Sequence, residues 1–282
     1  MLLNKISEKL KYNKYLPLSL SDELMNAYSG SSICGNALRG KKVLISGATG
    51  GIGSALAQRF LDEHCQVILL GRNEEKLIYT VENLRQQNKD GVIQHLCCDL
   101  LDSEGLANAV EKVFADLGVI DIFICNAGVL FDEDKNGIFR DNNKFLSSWS
   151  LNFEANTYLC ELIVQKMHDF KIHGTIAIIS SICALHKRMN YTGYGVSKAS
   201  IGRYGALLRS EHDDIDILTI YPGGVATGML SFSKNQNISC GINSLNRMII
   251  PEEIAADIAF ICSDIGRYIT QGITASANEM EN

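Results

Sequence analysis

The sequence predicts an α/β domain built on a doubly wound parallel sheet of about seven strands, with helices on both faces. Three observations carry that expectation. From Lys42 onward, short runs rich in Val, Ile and Leu alternate with amphipathic stretches, the order produced by repeated βαβ units. The runs are almost continuously apolar, as strands covered on both faces are. The composition, 46% hydrophobic with 24 Gly and only 3 Pro in 282 residues, suits one large buried core.

Taken in order, the strands are expected at 42–46 (KVLIS), 66–70 (QVILL), 92–96 (VIQHL), 121–125 (DIFIC), 174–180 (GTIAIIS), 215–221 (IDILTIY) and 269–276 (ITQGITAS). Helical spacing of apolar residues fills 53–64, 74–88, 103–117, 145–170, 191–212 and 252–263 between them. The last helix is announced by Pro251 at its first turn and by Glu252 and Glu253 at its positive end. Residues 1–38 read as an N-terminal extension. They carry a mixed helical pattern at 3–12, a break at Pro17 and the loop-like SGSSICGNALRGKK, so a single catalytic domain is expected over 39–282.

Charge and composition exclude several functions. A net charge of −6 gives no electrostatic footprint for nucleic acid. No run of 18 apolar residues is present, so no membrane span is expected. The first twenty residues interrupt their apolar positions with Asn, Lys and Glu, unlike a secretory leader. The nine cysteines are odd in number, scattered, and form no C-x-x-C pair with histidines at ligand spacing. No metal is expected, and a reducing cytoplasmic location is.

The first strand runs directly into SGATGGIGSALAQRF, residues 46–60. Glycines at a strand-to-helix turn let backbone approach a pyrophosphate, which then sits at the positive end of the helix. Both G-x-x-x-G-x-G (Gly47, Gly51, Gly53) and G-x-x-G-x-x-G (Gly47, Gly50, Gly53) can be read here. Further along, YTGYGVSK offers two tyrosines, and only Tyr194 has a lysine four residues on, Lys198, on the same helical face. A neighbouring cation pulls a phenol's pKa down, making a proton donor usable near neutrality.

Together these motifs resemble the short-chain dehydrogenase/reductase family over nearly all of residues 40–275. SGATGGIG is similar to the family's T-G-x-x-x-G-x-G turn, with Ser46 replacing the usual threonine. NAG at 126–128, ISS ending at Ser181, YGVSK and PGGVAT at 222–227 follow in the family's order. The resemblance implies a Rossmann-type fold and an NAD(P)-dependent oxidoreductase acting on a ketone or secondary alcohol. The substrates it suggests include a 3-oxoacyl thioester, a steroid or another lipid-like carbonyl. The family's catalytic serine lies 13 residues before its tyrosine; Ser181 stands 13 before Tyr194 and 10 before Tyr191. By resemblance Tyr194 donates the proton, Ser181 holds the carbonyl oxygen, and Lys198 lowers the phenol's pKa while holding the nicotinamide ribose. The relay asparagine is Asn152 or Asn156. Asn152 is favoured, having Ala155 and Met167 where the family has a small residue and a helix-ending methionine.

The same resemblance places the cofactor on Gly47, Thr49, Gly51, Ile52 and Gly53, then on Asn126, Ala127 and Gly128. Asp99 would face the adenine amino group with Leu100 beside it, and Pro222, Gly223, Val225 and Thr227 would meet the nicotinamide side. Gly71 stands where an NAD-selecting acid would be and Arg72 follows, which favours NADP(H), with NAD(H) as the alternative. Gly50 lacks the family's second basic residue. The stretch after Thr227 is expected to cover the pocket, with His186, Lys187 and Arg188 near its mouth. A homodimer or homotetramer is implied, although ASANEMEN departs from the family's usual C-terminus. Two competing readings are an extended-branch nucleotide-sugar epimerase or dehydratase, suggested by G-x-x-G-x-x-G, and a non-catalytic NADP(H) sensor.

Overall fold

Six strands form one parallel sheet in the order β3-β2-β1-β4-β5-β6. They are β1 (Lys42–Ser46), β2 (Gln66–Gly71), β3 (Ile93–Cys97), β4 (Ile122–Cys125), β5 (Thr175–Ile179) and β6 (Asp216–Ile220). The structure, a computed structural model, describes residues 32–131, 142–186, 191–229 and 248–266. The expected helix over 3–12, the strand over 269–276, Lys187, Arg188 and residues 230–247 of the expected cover lie outside the described residues. Six strands are therefore seen where about seven are expected, and each of the six falls within a residue or two of its expected place.

The helices are α1 (Gly51–Asp62), α2 (Glu74–Gln87), α3 (Ser103–Leu117), α4 (Asn142–Trp149), α5 (Asn156–Asp169), α6 (Thr192–Glu211) and α7 (Pro251–Ile261). Side chains alternate across a strand, and this alternation divides the core in two. Val43, Ile45, Val67, Leu69, Ala177 and Ile179 face α1, α2 and α7. Leu44, Ile68, Phe123, Ile176 and Ile178 face α3, α5 and α6 on the opposite side. Asn73 caps α2 by accepting from Lys76 N at 2.8 Å, and the Glu253 carboxylate accepts from Ile250 N at the start of α7.

Two local features depart from the sequence pattern. The single helix expected over 145–170 is α4 and α5 joined by a π-helical turn over Ser150–Ala155. Apolar periodicity cannot see an i→i+5 turn, which keeps the chain helical while shifting its hydrogen bonds. Residues 32–38, assigned by sequence to the extension, pack into the body. Cys34 and Leu38 are buried in the core with α1 and α7. Ser32 Oγ, Ile33 N and Cys34 N all donate to the carboxylate of Glu63, which is fully buried beside Arg59 at 3.3 Å.

Candidate active site

Parallel strands carry their following loops to one edge of the sheet, and the order 3-2-1-4 reverses direction at β1 and β4. The motifs gather there. Gly47, directly after β1, has φ +63°, and a Cβ on it would lie 2.8 Å from Ala127 Cα. A Cβ on Gly53 would lie 2.8 Å from Ala48 Cα. Only glycine fits these two positions, the first by conformation and the second by space. Ser46 is buried at the end of β1 and accepts from Asn126 N at 3.0 Å and Ala127 N at 3.1 Å. Asn126 Nδ2 returns a hydrogen bond to Ser46 O at 3.1 Å. The NAG segment is thereby tied to the glycine turn, and serine's hydroxyl serves in this contact without threonine's methyl.

Thr227 lies over the first residue of α1. A Cβ on Gly51 would meet Thr227 Cγ2 at 2.6 Å. Thr49 and Ile52 are half-buried on the same turn. Pro222 O accepts from Ile182 N at 2.9 Å, so the segment after β6 (Pro222, Gly223, Val225) is joined to the segment after β5. At the far side of the crevice, Gly71 ends β2 and Arg72 is exposed, with no hydrogen bond or ion pair among the described residues. Asp99 is exposed after β3, its Oδ1 accepting from Leu101 N, with Leu100 buried beside it.

Ser181 follows β5, and Tyr194 and Lys198 stand one turn apart near the start of α6. The Ser181 hydroxyl lies close enough to Tyr194 to oppose the rise of its phenol's pKa, and Ser181 Oγ accepts from Cys183 N at 3.2 Å. Lys198 Nζ lies 5.9 Å from the centre of the Tyr194 ring and donates to Ile179 O at 2.8 Å. Burial pushes the Tyr194 phenol well above its ordinary range, and the thiol of Cys183 adds to this. The expected lowering by Lys198 is not what the structure shows. Desolvation dominates, and Lys198 itself is brought down to about 8 by burial. Tyr191, by contrast, is buried just before α6.

The two asparagines are both buried, and they do different things. Asn152, in the π-helical turn, accepts from Val129 N at 2.8 Å and donates to Val129 O at 2.9 Å and to Ser197 Oγ at 3.0 Å. A Cβ on Gly128 would lie 3.2 Å from Asn152 Oδ1 and 3.3 Å from Lys198 Nζ, which sets both groups around one backbone position. Asn156 instead donates to Ala127 O and Leu151 O, both at 2.9 Å, and accepts from the Cys125 thiol. Two serines not singled out by sequence orient this group. Ser197 Oγ donates to Tyr194 O while receiving Asn152, and Ser180 Oγ donates to Lys198 O at 2.7 Å. Their positions, inside YGVSK and beside Ser181, are the signal that could have found them.

A close-packed glycine turn, a half-buried phenol near Ser181, and a buried lysine thus share one edge of the sheet. The arrangement can seat a dinucleotide and deliver a proton to an oxygen held beside Ser181. A family model described as short chain dehydrogenase matches residues 41–238. Glucose 1-dehydrogenase of Gluconobacter oxydans (strain 621H) is 29% identical over 237 residues, 82% of this chain and 88% of that protein. The 3-oxoacyl-[acyl-carrier-protein] reductase FabG of Rickettsia conorii (strain ATCC VR-613 / Malish 7) is 31% identical over 237 residues, 83% of this chain and 93% of its own. Among solved structures, L-sorbose reductase from Gluconobacter frateurii, complexed with NADPH and L-sorbose, matches with a TM-score of 0.76 at 24% identity. That match covers 88% of this chain and 99% of the reductase.

Proposed function

The chain belongs to the short chain dehydrogenase family and is an NAD(P)-dependent oxidoreductase of CH–OH groups; on that premise we propose that it is an NADP(H)-dependent carbonyl reductase with Tyr194 as its acid. The observation that carries this reading is buried Lys198, its Nζ 5.9 Å from the centre of the Tyr194 ring, one helical turn from Tyr194 with Ser181 beside them at the end of β5. A nicotinamide cofactor, when bound, would supply the hydride. Ser181 donates to the carbonyl oxygen, and Tyr194 gives its proton to that oxygen as it becomes an alkoxide. Lys198 and Asn152, meeting around Gly128, hold the ribose and the route by which the proton is replaced.

For the cofactor, Gly47, Thr49, Gly51, Ile52 and Gly53 would hold the pyrophosphate with Asn126, Ala127 and Gly128 beside it, Asp99 and Leu100 would meet the adenine, and Pro222, Gly223, Val225 and Thr227 the nicotinamide side. Arg72, exposed and without a partner among the described residues, receives the 2′-phosphate of NADP(H). The solved complex of L-sorbose reductase with NADPH supports this choice of cofactor. The named relatives suggest two substrate classes, polyhydroxylated carbonyls and 3-oxoacyl thioesters. The domain works as a homo-oligomer of single catalytic bodies. The test is consumption of NADPH and of NADH against a panel holding ketoses, aldoses, acetoacetyl thioesters and simple aryl ketones. Turnover with NADPH on a member of the panel is expected; cofactor binding with no turnover on any member favours a nucleotide sensor instead.

A further inference from the structure

A second group of chemistry-bearing side chains lies at the opposite edge of the sheet, and nothing in the proposed mechanism uses it. His168 is in the last turn of α5, His212 caps the carboxyl end of α6, and Asp214 stands two residues before β6. Ser181 and Pro222 follow the carboxyl ends of β5 and β6, whereas this group sits by their amino ends. A five-residue strand separates the two places by about 16 Å. The ligand atoms of the three side chains all lie within 4.8 Å of one another. His168 Nε2 is 3.3 Å from Asp214 Oδ1, and the two imidazole centres are 5.1 Å apart.

Those separations fit a common ion. Bonds of about 2.0–2.2 Å at tetrahedral angles place ligand atoms roughly 3.3–3.5 Å apart. His168 with Asp214 already meets that spacing, and His212 is half-exposed at a helix end, where its ring can rotate. A second observation points the same way. Two helices, α5 and α6, end here, and the negative ends of their dipoles favour a cation, the carbonyls of Lys166, Met167 and His168 being already taken by backbone N–H groups. The nearest lysine on α5, Lys166, is held away by Glu111 at 2.6 Å and Asp169 at 3.9 Å.

We propose that His168, His212 and Asp214 bind a divalent transition metal of the zinc class, with water completing the coordination. Two imidazoles and one carboxylate select such an ion over magnesium or calcium, which take all-oxygen sites. The sequence hides the site because its ligands lie 44 residues apart (168 to 212) and meet only when α5 and α6 pack. Bound there, the metal staples the carboxyl end of α6 to α5. It stabilises the folded chain because the unfolded chain cannot assemble the three ligands.

The experiment titrates the full chain with Zn²⁺ by calorimetry and thermal unfolding, and with Co²⁺ by visible absorption. Saturation at one equivalent, a higher unfolding temperature, and cobalt bands without thiolate charge transfer are expected. His168→Gln and His212→Gln should each weaken Zn²⁺ by about tenfold or more and abolish the thermal shift. Thermal unfolding of both variants without metal establishes that they fold. Unsaturable binding, equal affinity in the wild type and either variant, or a thiolate band placing the ion on cysteines such as exposed Cys97 would overturn the proposal.

Discussion

Lys198 shows how burial, rather than a neighbouring charge, governs this site. Desolvation takes its pKa from an ordinary 10.5 down to about 8. The folded pKa is below the unfolded one, so between those values the folded state binds fewer protons and stability rises with pH. Equivalently, stability is lost as pH falls through about 8. Lys198→Met removes that cost together with the hydrogen bond to Ile179 O, so the variant's stability relative to the wild type in urea denaturation should be highest near pH 7, the pH-dependent part being on the order of a few kcal/mol. That relative stability should fall by pH 9.5; a difference independent of pH would show that Lys198 does not titrate in this window. Arg72 raises the other question at this scale. A guanidinium meets a 2′-phosphate with charge-assisted hydrogen bonds of roughly 1.5–3 kcal/mol, about one to two decades in affinity. Arg72→Ala should weaken NADPH by that factor and leave NADH unchanged in dissociation constants. A Cβ on Gly71 would meet Leu77 at an ordinary 3.4 Å, so Gly71→Asp can be added to turn preference toward NADH. Unchanged NADPH affinity in Arg72→Ala would assign the phosphate to another base.

Between the residue and the fold stands the π-helical turn at Ser150–Ala155, which separates the roles of two asparagines. Asn156 clamps Ala127 O and Leu151 O, so Asn156→Ala should mainly cost stability, roughly 1–3 kcal/mol, read as a lower denaturation midpoint. Asn152 shares the space around Gly128 with Lys198. Asn152→Ala should therefore lower kcat on the order of tenfold or more beyond any effect of Asn156→Ala. The reverse order would exchange the two roles. This element also marks the limit of reading the sequence. The strands were legible because near-continuous apolar runs between amphipathic stretches have few other uses, Tyr194 and Lys198 because four residues span one helical turn, and Ser181 only through its resemblance to the family's serine 13 residues before the tyrosine. The break in the 145–170 helix was not legible, since apolar periodicity does not register an i→i+5 turn, and the contacts that Asn152 makes from it reach Val129, 23 residues away. The direction of the Tyr194 shift was missed for a related reason. Sequence shows which charge is near in the chain, and not how much water the fold removes.

At the scale of the whole molecule, residues 32–38 tie the chain's amino-terminal side to α1, the helix that begins at the glycine turn. A chain beginning at Arg39 lacks Ser32, Ile33 and Cys34, whose groups donate to buried Glu63, and lacks the buried Leu38. Hydrogen bonds to a charged group contribute roughly 1.5–3 kcal/mol each. That truncation should unfold at a markedly lower temperature than a chain beginning at Ser32, while its folded fraction binds NADP(H) normally because no site residue is removed. Equal melting of the two truncations would show that the Glu63 contacts contribute little.

The whole account rests on one sheet edge bringing Ser181 and Lys198 to Tyr194 and not to Tyr191. The measurement that tests this most directly is transfer of deuteride from 4-deuterated NADPH to a carbonyl substrate, compared in the wild type, Tyr194→Phe and Tyr191→Phe. The prediction is deuterated alcohol from the wild type and from Tyr191→Phe. Tyr194→Phe should bind NADPH as before but lose about 10²–10⁴ in kcat, the usual worth of a positioned proton donor. Comparable turnover in Tyr194→Phe and wild type, or an equal loss in both tyrosine variants, would contradict it.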